Sequence, residues 1–123
     1  MNFCVRDLVE TKRIKGIKVL EGEQYLDNEI DGVTIIEAPD IVKFINGGEV
    51  LLTGLYAFKS CTLEYVEECI QELERKKISA VILKKGRNVD LADEKIELFR
   101  SYARRSGTPL LSIPFDMSFK DVM

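Results

Sequence analysis

The sequence contains no histidine. That absence removes the Ser–His and Cys–His nucleophile systems and every zinc site built on imidazole. Cysteine is scarce. Cys4, Cys61 and Cys69 are odd in number and show no C-x-x-C spacing, which points to reduced thiols in a cytoplasmic protein, with a redox pair as the alternative. No apolar run approaches the roughly 20 residues that a membrane helix needs. The first residues, 1–13, lack the apolar stretch of a secretion signal. Neither G-x-G-x-x-G nor a P-loop pattern occurs, and no internal repeat or low-complexity segment stands out. Basic charge is not in excess either. A net charge of −3 argues against a nucleic-acid-binding face within this chain, because gripping phosphates requires clustered Lys and Arg.

What is present is enough for a core. With 123 residues, 46% of them hydrophobic and 32% charged, residues 1–123 suit one folded domain that stays in solution. The organising stretch is 33–56. It holds two short apolar runs, Val33-Thr34-Ile35-Ile36 and Val50-Leu51-Leu52, each apolar at alternating and intervening positions alike. Such runs suit strands covered on both faces. Between them lie Pro39 at a helix start, an amphipathic turn over 41–45, and Asn46-Gly47-Gly48. The pattern reads strand, short helix, glycine turn, strand.

Upstream, residues 4–10 suit a short helix with Val5, Leu8 and Val9 on one face. Residues 17–20 suit a short strand, and Gly32 suggests a bulge or break where the next strand enters the core. Downstream, Thr62 is a good N-cap for a helix whose buried stripe is Leu63, Val66, Ile70 and Leu73, with Cys69 beside it. Residues 80–83 read as a buried strand. A second helix spans about 93–105, with Ile96, Phe99 and Ala103 facing the sheet and Leu98 and Tyr102 widening that face. Gly107 and Pro109 stop it. Residues 110–113 form the last strand. Strands alternating with helices predict an α/β domain with a mostly parallel sheet of four to five strands and the N-terminal strands at an edge.

Ligands of a parallel sheet gather at the carboxyl ends of its strands. The unusual residues of this chain follow those ends: Glu37 and Asp40 after one strand, Thr53 and Gly54 after the next, Lys84, Gly86 and Arg87 after the third, and Pro114 and Asp116 after the fourth. On one rim they would offer carboxylates, a hydroxyl, glycine backbone and basic groups to a small polar molecule. Each cluster also has a plainer reading. Glu37 and Asp40 can simply cap a helix, Gly47-Gly48 can simply stop one, Thr53 can satisfy local backbone, and Lys84, Lys85 and Arg87 can be a solvated turn. No catalytic constellation, metal site or cofactor site emerges, so the expectation is a non-enzymatic protein.

The segments VRDLVE at Val5, KVLEGEQYLDNEI at Lys18, VTIIEAPDIVKFINGGEVLLTG at Val33, ILKKGRNVD at Ile82 and PLLSIPFDMSFKDV at Pro109 occur in the order found in the N-terminal domain of PucR-like purine catabolism regulators of bacteria, which this chain resembles. The LDNEI segment is also similar to the N-terminal domain of HPr kinase/phosphorylase, at the level of fold. The first resemblance implies a regulatory module that senses an effector or supports assembly, as a homodimer for example. It implies contact with DNA only through a downstream helix-turn-helix segment, and an excised rather than a free-standing domain. Two departures are visible. The family usually reads T-T-G-Y where this chain has Thr53-Gly54-Leu55-Tyr56, which changes the groups offered at that turn. Leu91-Ala92-Asp93 replaces a frequent proline before the last full helix.

Overall fold

The computed structural model describes residues 3–10, 16–36, 47–54, 62–84 and 94–114. Within them lie a helix α1 (Val5–Glu10), strands β1 (Lys18–Glu21), β2 (Gly32–Ile36) and β3 (Glu49–Gly54), helix α2 (Leu63–Lys76), strand β4 (Ala80–Lys84), helix α3 (Glu94–Ser106) and strand β5 (Leu110–Ile113). The strands form one sheet in the order β1-β5-β4-β3-β2. The pairs β2–β3, β3–β4 and β4–β5 are parallel, and β1 pairs with β5 antiparallel. This is the mostly parallel α/β sheet that the alternation of strands and helices predicts, with the first strand at an edge.

Side-chain alternation divides the core into two layers. Leu51, Val81, Leu83 and Leu110 point to one face, where they pack with Val66, Ile70 and Leu73 of α2 and Ile96, Phe99 and Tyr102 of α3. Val50, Leu52, Ala80, Ile82, Leu111 and Ile113 point to the other, where α1 covers them with Val5 and Leu8. Every residue of β3 from Val50 to Thr53 is fully buried, as its unbroken apolar run requires. β2 differs. It is an edge strand, and 36% of Val33 stays exposed. Of the bulge or break expected at Gly32, the structure has the break: Gly32 is the first residue of β2.

Helix ends follow local chemistry. The Thr62 hydroxyl accepts the Tyr65 backbone N–H at 3.1 Å and caps α2. Val66, Cys69, Ile70 and Leu73 are buried, but Leu63 is 37% exposed. It occupies the first helical position. α2 ends on Lys77 in the left-handed conformation (φ 49°), and α3 on Gly107 (φ 65°). The short α1 takes its N-terminal partners from the chain before β2: Val5 N–H donates to Asn28 O at 3.0 Å and Arg6 N–H to Leu26 O at 2.7 Å. The glycine turn before β3 is close-fitting, since a Cβ on Gly48 (φ 80°) would collide with the Asp31 carboxylate.

Candidate functional site

The register fixes which residues share the carboxyl edge. Ile36 lies opposite Thr53, Thr53 opposite Leu83, Gly54 opposite Lys84, and Lys84 opposite Ile113. Thr53, Gly54 and Lys84 therefore lie at one end of the sheet, on adjacent central strands. Glu37, Asp40, Gly86 and Arg87 follow β2 and β4 in sequence and lie outside the described residues, as does Asp116. The helix expected over 41–45 lies outside them too.

Thr53 and Lys84 reach this edge on different faces. Thr53 continues the Leu51 face, which α2 and α3 cover, and is completely buried. Lys84 continues the Ile82 face, on the α1 side, and is half-buried. A ligand touching both must therefore bridge the end of the sheet rather than lie on one of its faces. From β2 to β5 the strands step one way, so these four have no topological switch point to open a crevice between them.

The sequence reading passed over Ser112. It belongs to the apolar run Leu110-Leu111-Ser112-Ile113 and lies opposite Leu83, on the same face as Thr53. It is buried, and its hydroxyl has no hydrogen-bond partner among the described residues. A single hydroxyl in an otherwise aliphatic strand was the available signal. Electrostatics at this edge favour anions. α2 starts here after β3 and α3 after β4, so the positive ends of two helix dipoles face it, beside Lys84. Glu64, Glu94 and Glu97 in the first turns offset part of that field.

No group of three or more His, Cys, Asp or Glu side chains suited to a metal ion occurs among the described residues, and none of their helices is long and apolar enough to cross a membrane. Cys4 and Cys69 are not in disulfides.

Residues 7–123 match the model of the purine catabolism regulatory protein-like family. The chain belongs to this family. A purine catabolism regulatory protein of Bacillus subtilis (strain 168) is 25% identical over 120 residues, covering 97% of this chain. The chain spans 22% of that relative's length. No solved structure matches the chain at a significant level. The membership agrees with the segments that carried the resemblance, from VRDLVE at Val5 to PLLSIPFDMSFKDV at Pro109. Within the purine catabolism regulatory protein-like family, the edge formed by Thr53, Gly54 and Lys84 is this chain's candidate site.

Proposed function

We propose that this chain is a non-enzymatic regulatory domain of a bacterial transcription regulator, and that it binds a small polar metabolite of purine catabolism at the carboxyl edge of its sheet. Contact with DNA would come through a separate segment of the full regulator. Family membership supports the regulatory role. The register that sets Gly54 beside Lys84, with Thr53 one residue before, supports the location. In this reading Lys84 and Arg87 engage a carboxylate or carbonyl-rich edge of the effector. Glu37 and Asp40 accept its N–H groups, and the backbone at Gly54 and Gly86 admits close approach. Effector binding acts as a switch only if it favours one of two states of the regulator.

A calorimetric screen of purines, their breakdown products and sugar acids tests the reading. The expected outcome is one class that binds saturably and whose affinity falls about tenfold or more in Lys84→Met or Arg87→Met, the scale of a lost charge-assisted hydrogen bond. No binder at millimolar concentration would count decisively against sensing.

One observation favours a second reading, a ligand-free dimerisation module. β2 is one of the two edge strands of the sheet, its run GVTII carries no charge or proline, and Val33 is partly exposed. Light scattering separates the two readings. A dimer that becomes a monomer in Val33→Lys supports assembly through this strand, and a monomeric parent chain excludes it.

A further inference from the structure

A second site lies at the opposite, amino edge of the sheet. There a cleft of about 560 Å³ opens between the ends of α2 and α3, bordered by Asn28, Glu29, Glu74, Lys77, Tyr102 and Ser106. Its frame is a polar knot. The Asn28 side-chain amide donates to Ser79 O at 3.3 Å and to Gly107 O at 3.1 Å. The Ser79 hydroxyl lies within reach of Gly48 O at 2.8 Å and of Glu29 O, and its single proton can serve one of them at a time. Ser79 N–H donates to Glu49 O at 2.9 Å, and Gly48 N–H to Lys77 O at 3.3 Å. These contacts tie the Asn28–Glu29 segment to the ends of the neighbouring strands and helices.

The cleft has a definite electrostatic character. α2 and α3 both end here, so the negative poles of two helix dipoles face it. Glu29 and Glu74 border it; the Glu74 carboxylate pairs with Arg105, and Arg75, Lys76 and Arg104 in the last turns of the two helices offset part of the negative field. The Asn28 side chain spends its amide protons on the frame and keeps its carbonyl oxygen as an acceptor. Tyr102 is buried, and its hydroxyl, with Thr108 beside it, has no hydrogen-bond partner of good geometry among the described residues. Leaving a buried hydroxyl unpaired is costly, and a polar occupant or a bridging water relieves that cost. Lys77 at the mouth is the one cation among these border residues.

We propose that this amino-edge cleft binds a small molecule rich in N–H donors, an amine, amidine or carboxamide, seated against Glu74, which it shares with Arg105, and the Asn28 carbonyl between the two helix ends. The site is separate from the carboxyl edge and has the opposite polarity, because the same helices present positive poles at one end of the sheet and negative poles at the other.

Backbone-amide NMR of the 123-residue chain, titrated with agmatine, nicotinamide and succinate, tests the proposal. Agmatine and nicotinamide should shift the signals of Ser79, Gly107 and Thr108 saturably at millimolar concentration while leaving Thr53, Gly54 and Lys84 unmoved, and succinate should not produce these shifts. Ser106→Trp, which plugs the mouth from an exposed position, should abolish them. Glu74→Gln, a milder change, should weaken agmatine more than nicotinamide. The proposal is overturned if neither amine nor amide shifts the cleft, if succinate shifts it as strongly, or if binding persists unchanged in both variants. Shifts confined to Thr53, Gly54 and Lys84 would also overturn it and leave the carboxyl-edge reading standing.

Discussion

Tyr102 shows how one residue can be core and polar at once. Its ring packs with Phe99 and Leu73 in the helix-covered layer. Burial pushes its hydroxyl pKa up from 10.0 to about 12, with the Glu74 carboxylate adding to the rise. Thr108 stands beside the hydroxyl and moderates the shift, without forming a hydrogen bond of good geometry. In the unfolded chain this tyrosine ionises near pH 10; in the folded chain it stays neutral to about pH 12. Its contribution is therefore constant below pH 10, and stability falls as pH rises through the window from about 10 to 12. Tyr102→Phe should flatten that alkaline slope in thermal melts and leave neutral-pH stability unchanged or raised, because the ring stays and the unpaired hydroxyl goes. A lower melting temperature at neutral pH would show that the hydroxyl is satisfied. Lys77 carries a different cost, since a side chain in the left-handed region is strained by roughly 1–2 kcal/mol. Lys77→Gly removes that strain but adds freedom to the unfolded chain. The net expectation is a stabilisation of up to about 1 kcal/mol, seen as a higher urea midpoint at unchanged slope. Lys77→Val should move the midpoint the other way.

At the scale of elements, α2 and α3 were readable because apolar residues recur at helical spacing and the punctuation is strong. Thr62 opens α2, and Gly107 with Pro109 closes α3. β3, β4 and β5 were readable because their aliphatic runs are continuous, and all are buried on both faces. Periodicity could not reveal which positions of a helical stripe are covered. Leu63 fits the stripe by spacing yet remains partly exposed, because covering depends on tertiary neighbours. Nor could an aliphatic run separate an outer strand from a central one, so Val33-Thr34-Ile35-Ile36 reads like β3 and behaves differently. Gly32 illustrates the same gap, since a glycine at a strand's start and one within it look alike in sequence. The contrast within α2 can be measured. Leu73→Ala should cost about 2–5 kcal/mol in denaturant unfolding, as for other fully buried leucines. Leu63→Ala should cost less than about 1 kcal/mol. Equal costs would mean that Leu63 is covered in solution.

For the whole molecule, the chain order set four parallel strands side by side, and that order alone carries Thr53, Gly54 and Lys84 to one edge. This much of the candidate site followed from alternating strands and helices before any coordinates. The opposed faces of Thr53 and Lys84, the lone hydroxyl of Ser112 and the cleft at the far edge did not follow. Each depends on register and on helix ends meeting in space, which no local pattern encodes. Kinship with the purine catabolism regulatory proteins was legible in the short motifs. The most direct measurement is a backbone-amide NMR titration of this chain with the tightest binder from the calorimetric screen. The account predicts saturable shifts centred on Thr53, Gly54 and Lys84 that disappear in Lys84→Met. Saturable binding that leaves those three residues unmoved, or that survives Lys84→Met unchanged, would contradict it.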